Sequence, residues 1–157
     1  MRIMALDIGD VRTGVAISDP AERIATPVCV LPTTEVRDNA RSFRTVLEDW
    51  EPELLVVGLP KSLSGQQGRQ AAHIRQIADQ IAQKTQLNIE YADERLSSAE
   101  AKRSLRESGL SEREMRGKVD MIAASLFLQS WLDARRVGEE PQPGEDSSTS
   151  ASPTEGN

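Results

Sequence analysis

The sequence predicts an α/β domain with a mixed five-stranded sheet flanked by helices. Two runs, 3–6 and 54–58, have the length and the continuous hydrophobicity of strands that are buried on both faces. The strand at 54–58 is followed by a helical pattern, which is typical of a crossover between parallel strands. The three strands predicted before residue 32 follow one another closely, so we expect them to pair antiparallel as consecutive hairpins.

Each element has its own signal in the sequence. A tight connection from Gly9 to Gly14 separates the first two strands, and a helix with apolar residues at helical spacing should end before Pro52. Two Ser-x-x-Glu capping boxes, at 97–100 and 111–114, should each begin a helix. The predicted order is strands 3–6, 15–18 and 26–31, helix 36–50, strand 54–58, a helix with its apolar stripe over 71–81, strand 88–92, a short helix ending at Gly109, and a long helix with the stripe Val119, Ile122, Ala123, Leu126, Phe127 and Ser130.

Length and composition predict one folded domain, residues 1–137, followed by a disordered acidic tail, residues 138–157. The net charge is −6, but five acids and no Lys or Arg lie from Glu139 onward, which leaves 19 basic against 20 acidic residues in 1–138. Charge therefore neither supports nor excludes a nucleic-acid partner. The sequence has no apolar stretch of about 18 residues and no signal-peptide pattern, so we expect a cytoplasmic protein.

The chain has one cysteine, Cys29, and one histidine, His73. It can form neither a disulfide framework nor a Cys/His zinc cluster. We expect Cys29 to lie in the core and His73 on the surface rather than to act as a base. A bound metal ion would have oxygen ligands, which favour Mg²⁺ or Mn²⁺.

Asp7 is the first candidate functional residue, because it lies where a buried strand ends and is followed closely by Gly9. Glycine allows a phosphate or a hydrated metal ion to approach the main chain. The alternative is an ordinary turn acid beside a turn glycine.

Further acids lie where they could join Asp7. Asp93 and Glu94 end the last predicted strand, and ligands of open α/β sheets bind at strand ends. Asp120 lies at the margin of the final helix's apolar stripe, where an unpaired carboxylate is unfavourable, although it could reach solvent or pair with Lys118 or Arg116. Converging acids without His or Cys predict a two-ion site with the chemistry of a nuclease.

The segment 58–68 connects a strand to a helix and is rich in glycine. Its backbone amides, with Lys61 and Arg69, could hold a substrate phosphate at the helix N-terminus. It lacks the Gly-Lys-Ser/Thr ending of a Walker loop, and an ordinary glycine-rich connection is the alternative.

Four segments resemble the YqgF family in order and spacing: LDIGDVRTGVAISD (6–19), VVGLPKSLSGQQG (56–68), DERLSSAEA (93–101) and VDMIAASLFLQSWL (119–132). The resemblance covers about residues 1–135. It implies a ribonuclease H-like fold and a metal-dependent nuclease, related to Holliday-junction resolvases, that processes the 5′ end of precursor 16S rRNA. By the same resemblance, Asp7, Glu94 and Asp120 are the catalytic and metal-binding acids.

The candidate substrate-binding residues are Arg12, Lys61, Arg69 and Arg95, and nucleic acid is the expected partner. Asp93 and Glu94 should point to opposite faces of the strand end, and we choose Glu94 as the ligand because its longer side chain reaches further. The alternative functions are a branched-DNA resolvase, a nucleotide-binding module and a non-catalytic ribosome-assembly protein.

The tail has almost no apolar residues to bury, so truncation after Gly138 should not affect folding. We expect the thermal unfolding midpoint to change by less than about 2 °C, as measured by calorimetry. A large fall in the midpoint would show that the tail packs on the domain.

Overall fold

The computed structural model describes residues 1–60, 65–94 and 117–139, together with residues 103, 106–109, 111, 113 and 114. The strands among these residues are β1 (Ile3–Ile8), β2 (Arg12–Ser18), β3 (Ala25–Pro32), β4 (Leu54–Leu59) and β5 (Asn88–Asp93). They form one sheet in the order β3-β2-β1-β4-β5. Pairing is antiparallel between β1 and β2 and between β2 and β3, and parallel between β1 and β4 and between β4 and β5. The predicted mixed five-stranded sheet is confirmed.

The centre of the sheet consists of the two continuous apolar runs. Residues 3–6 of β1 and 55–57 of β4 have no solvent exposure. Side chains alternate between the two faces of a strand, so a run that is apolar at every position is stable only where both faces are covered. Asp7 therefore lies at the end of the central strand, with a neighbouring strand on each side.

Helices cover both faces of this sheet. The helices with described bounds are α1 (Thr33–Arg37), α2 (Arg41–Trp50), α3 (Gly65–Thr85) and α4 (Val119–Glu139). One apolar cluster joins the sheet to α1, α2 and α3, and a second joins the opposite face to α4. The predicted stripe of α3 is confirmed, since its five residues are buried: Ala71, Ile74, Ile77, Ala78 and Ile81.

The prediction of a single helix over 36–50 is wrong. The chain forms α1 and α2 instead, because Asn39 adopts a left-handed conformation with φ of 53° and Ala40 is extended. Asn tolerates the left-handed region better than most residues, and such a residue interrupts the helical hydrogen-bond pattern. The expected end before Pro52 is confirmed at Trp50.

The predicted stripe of the final helix is only partly right. Ala123 and Phe127 are buried as expected, but Ser130 is exposed, and Ala124 and Leu128 are fully buried instead. The helix is apolar around much of its circumference, so its hydrophobic periodicity does not define one face. Asp120 is four residues before Ala124 and therefore lies on the face that packs against the sheet.

Some predicted features lie next to, or outside, the residues that the structure describes. Ser111 and Glu114 form the predicted capping box, with reciprocal backbone-to-side-chain hydrogen bonds of 2.9 and 3.2 Å. The box at 97–100 lies outside the described residues. The last helix continues to Glu139, and residues 140–157 are not described, so the disordered tail remains a prediction. In the described part of the chain, no helix is long and apolar enough to cross a membrane.

Helix α4 packs directly on the backbone of β2 at Gly14. A Cβ atom at this position would lie 2.1 Å from the carbonyl carbon and oxygen of Asp120 and 2.5 Å from the Met121 nitrogen. These are backbone atoms, which cannot rotate away. A residue with a side chain at position 14 would force the first turn of α4 off the sheet.

Gly14→Ala should therefore destabilise the fold by about 1–3 kcal/mol, as overpacked sites do. The control is Gly138→Ala in α4, where no atom of the described residues lies within 4 Å of the added carbon, and where alanine should stabilise by up to about 1 kcal/mol. Chemical denaturation of both variants measures the difference. Equal stability of the two variants would contradict the close contact at Gly14.

Candidate active site

Asp7 is the central carboxylate of the candidate site. It is the second-last residue of β1 and pairs with Gly14 of β2. Leu6 and Ile8 on either side are buried, which fixes the strand, while Asp7 itself is partly buried. A carboxylate is thus held at the covered end of the central strand.

Glu94 reaches Asp7 across strand β4. It directly follows β5, and its backbone N–H donates a 3.1 Å hydrogen bond to the carbonyl of Leu59. A Cβ atom at Gly58 would lie 3.1 Å from the Glu94 Cβ and 2.8 Å from the ring of Phe127. The missing side chain at Gly58 therefore leaves space for Glu94, whose carboxyl group is hydrogen-bonded to that of Asp7.

Asp120 approaches from the other side, in the first turn of α4. Because the Asp120 backbone packs on Gly14, and Gly14 is the partner of Asp7 in the sheet, Asp120 lies near enough to act on Asp7 electrostatically. Its carboxylate also forms an ion pair with Arg12, at 3.3 Å between Nε and Oδ2. The Arg12 side chain is 52% exposed, so this pair is weak.

Burial, together with the neighbouring carboxyl groups, raises the pKa of Asp7 to about 8. Burial is the largest cause, followed by the negative charges of Glu94 and Asp120 and the hydrogen bond with Glu94. Burial and the charge of Asp93 raise the pKa of Glu94, and the hydrogen bond from Asp7 lowers it. At neutral pH, Asp7 therefore retains a proton, which it donates to Glu94.

This arrangement suits a divalent cation chemically. The three groups offer only carboxylate oxygens, the ligands that Mg²⁺ and Mn²⁺ prefer. A bound cation would offset both the burial of the Asp7 charge and its repulsion by the other acids, which together keep a proton on Asp7. Within the described residues, no three His, Cys, Asp or Glu side chains already stand close enough together to hold an ion, and Asp120 is turned to Arg12.

The other predicted residues fall in different places. Asp93 is exposed at the end of β5, whereas the partly buried Glu94 faces Asp7. Arg69 lies on α3, in a cleft that also includes the exposed His73. Cys29 is partly buried rather than fully in the core, and burial raises its pKa. Lys61 and Arg95 lie outside the described residues.

Sequence reasoning missed two groups of residues that build the site. Gly14 and Gly58 are needed for the close approach of Asp120 and Glu94, and a glycine inside a strand is the signal that could have indicated this. Thr33 donates a 2.7 Å hydrogen bond to the Gly9 carbonyl and lies 2.8 Å from the Thr13 hydroxyl. These buried threonines hold the loop that follows Asp7, and their sequence context gives no comparable signal.

Comparison with known proteins decides the family. A family described as RuvX, Holliday junction resolvase, matches residues 1–134. The chain belongs to the RuvX family. One relative from Anaeromyxobacter sp. (strain Fw109-5), named "Putative pre-16S rRNA nuclease", is 42% identical over 87% of this chain and 100% of its own length. A relative of the same name from Streptomyces coelicolor is 38% identical over 92% of this chain and 86% of its own. The predicted family is confirmed.

Solved structures confirm the predicted ribonuclease H-like fold. RuvC of T. thermophilus, in complex with a Holliday junction substrate, matches with a TM-score of 0.51 at 13% identity, over 90% of this chain and 99% of its own. The fowlpox virus resolvase, in complex with Holliday junction DNA, matches with a TM-score of 0.52 at 14% identity, over 86% and 99%. The names of the RuvX relatives also support the predicted class of enzyme, a nuclease.

The pKa of Asp7 predicts how stability depends on pH. Its ordinary value is near 4, so between about pH 4 and 8 the folded protein holds a proton that the unfolded chain has lost. Unfolding then releases a proton, and the free energy of unfolding falls as pH rises through this range. Asp7→Asn removes this titration and keeps a hydrogen-bond donor for Glu94.

We therefore expect Asp7→Asn to raise the unfolding midpoint of the metal-free protein at pH 8 by at least about 3 °C. The gain should shrink toward pH 4, where Asp7 is protonated in both states. Thermal unfolding in EDTA from pH 4 to 9 measures it. A constant difference between variant and wild type across this range would contradict the raised pKa.

Proposed function

We propose that this RuvX-family protein is a metal-dependent nuclease that hydrolyses phosphodiester bonds in precursor 16S rRNA, at its 5′ end, in the cytoplasm. The observation that carries the proposal is the placement of Asp7 between Glu94 and Asp120, with a pKa raised to about 8. Structural acids are usually paired with bases, whereas acids gathered against each other indicate a cation site. The relatives named for precursor 16S rRNA support the choice of substrate.

Asp7, Glu94 and Asp120 would hold the ions, Mg²⁺ or Mn²⁺, in a two-ion site. When bound there, such ions would supply activation of a water molecule as the nucleophile and stabilisation of the leaving oxygen. Asp120 would exchange Arg12 for the cation, which frees the exposed guanidinium of Arg12 to bind a substrate phosphate. Arg69, together with Lys61 and Arg95, would provide further phosphate contacts.

The distribution of charge supports a polyanionic substrate. Residues 1–94 carry ten Lys and Arg against fourteen acids, and residues 119–157 carry two against seven. Only the connection between Glu94 and Asp120 has a positive balance, with seven basic residues against four acids. Its described basic side chains are all exposed: Arg103, Arg106, Arg113 and Lys118. A basic segment attached at both ends to catalytic acids would draw phosphates toward them.

A second candidate substrate is branched DNA, because the matching family is described as a Holliday junction resolvase. Incubation of the purified protein with Mg²⁺ or Mn²⁺, beside EDTA controls, tests both substrates. One gel compares labelled precursor 16S rRNA with a four-way DNA junction. Metal-dependent cleavage of the rRNA near the mature 5′ end supports the proposal. Cleavage of the junction alone would mean that the substrate is branched DNA and not precursor rRNA. Failure to cleave either would favour a non-catalytic role.

Asp7→Asn should lower the rate of cleavage by at least about 10²-fold, because the amide keeps the shape of the side chain and loses the charge that holds the ions. Single-turnover kinetics at saturating Mn²⁺ measure the effect, with circular dichroism as the check on folding. Turnover close to that of the wild type would contradict the assignment of Asp7 as a ligand.

Adjacent acids provide a matched pair of variants. Glu94→Gln should abolish metal-dependent cleavage, whereas Asp93→Asn should weaken it less, because Asp93 is exposed and acts on Glu94 through its charge. Mn²⁺ titrations of cleavage compare the two variants. If Asp93→Asn lost the response to Mn²⁺ and Glu94→Gln kept it, the two roles would be exchanged.

A further inference from the structure

We propose that a cleft at the same end of the sheet as the acids, on the side covered by α3, binds one nucleotide of the substrate and distinguishes ribose from deoxyribose. The cleft has a volume of about 320 Å³ and is lined by Asp10, Arg69, Gln70 and His73. This inference rests on the proposed nuclease function and assigns a substrate class to its site. The volume lies near the lower end for small-ligand sites, so it suits a single nucleotide rather than a longer segment.

One wall of the cleft is fixed relative to the catalytic strand. Asp10 is three residues after Asp7, in a turn that is closed by a 2.9 Å hydrogen bond from the Gly9 N–H to the Arg12 carbonyl. Thr33 binds both sides of this turn, since its hydroxyl donates to the Gly9 carbonyl and its N–H donates to the Val11 carbonyl at 2.8 Å. The turn thus holds Asp10 at a defined place at the end of β1, which is the end of the sheet where the acids lie.

The opposite wall is helix α3. Arg69 and His73 are four residues apart and so lie on one side of the helix, and Gln70 is next to Arg69. Ala71 and Ile74 are buried on the sheet side and anchor this part of the helix. The lining side chains are exposed and available to a ligand.

The chemistry of the lining is mixed, which argues against a simple phosphate track. Arg69 can bind a phosphate in bidentate fashion, and His73 and Gln70 can donate further hydrogen bonds. Asp10 would repel a phosphate but can accept a hydrogen bond from a hydroxyl group. A ribonucleotide presents both a phosphate and a 2′-hydroxyl donor, whereas deoxyribose lacks the donor. The cleft therefore favours RNA over DNA, with Asp10 as the residue that reads the sugar.

Binding measurements without metal test this inference separately from cleavage. Fluorescence anisotropy compares the wild type with Asp10→Ala and Arg69→Gln on a single-stranded RNA and on DNA of the same sequence. The control is Arg41→Gln, which removes the same charge from an exposed position on α2, outside the cleft. Thermal unfolding confirms that all variants are folded.

We expect the wild type to prefer RNA, and Asp10→Ala to lower the ratio of RNA to DNA affinity by about tenfold. Arg69→Gln should lower the affinities for RNA and for DNA by a similar factor and leave the ratio of the two affinities unchanged. Arg41→Gln should lower both affinities only slightly and by the same factor. An unchanged ratio in Asp10→Ala, equal wild-type affinity for RNA and DNA, or an Arg69→Gln effect no larger than that of Arg41→Gln would overturn the inference.

A cleavage assay then locates the contact on the substrate. The substrates are RNAs that each carry one 2′-deoxy substitution. At one position near the cleaved bond, the substitution should lower the cleavage rate of the wild type relative to unmodified RNA. The same substitution should not lower the rate of Asp10→Ala further. If the wild type cleaves RNA but tolerates every substitution, the inference fails while the proposed function stands. If the wild type neither binds nor cleaves RNA, both fail.

Discussion

The packing of helix α4 on the backbone of Gly14 is the contact on which the site depends. Gly14 pairs with Asp7 in the sheet and leaves no room for a side chain beneath Asp120. Gly58 plays the matching role on the other side, where Glu94 crosses β4 to reach Asp7. Two positions without side chains thus bring acids from three distant parts of the chain to the end of one strand. The consequence is the raised pKa of Asp7, which is caused first by burial and then by the negative charges of Glu94 and Asp120.

Much of the fold could be predicted from hydrophobic patterns. The runs at 3–6 and 54–58 are apolar at every position, and only a strand covered on both faces accommodates such a run. The hydrophobic patterns gave wrong predictions where they were compatible with more than one arrangement of a helix. The break between α1 and α2 depends on the left-handed conformation of Asn39. The helical spacing of the apolar residues around it gives no sign of this conformation. The buried face of α4 is set by its contact with β2, since its own sequence is apolar on several sides.

The acids of the candidate site could be predicted, but the hydrogen bond and the ion pair that they form could not. A carboxylate at a strand end is a local signal, and Asp7 and Glu94 were recognisable in this way. Their hydrogen bond requires β5 to lie two strands from β1, which depends on the order of the sheet. The pairing of Arg12 with Asp120 joins residues 108 positions apart and has no local signal. Asp10 was not singled out, because its significance comes from the cleft that it shares with α3.

If the proposed function is right, a metal ion takes the place of the proton that Asp7 holds between Glu94 and Asp120. Calorimetric titration with Mn²⁺ at pH 7, in two buffers of different ionisation enthalpy, tests it most directly. Binding should release close to one proton, because Asp7 is protonated before the ion binds, and should be lost in Asp7→Asn. Mn²⁺ binding without proton release, or with the same affinity in Asp7→Asn, would contradict the exchange of the Asp7 proton for a metal ion.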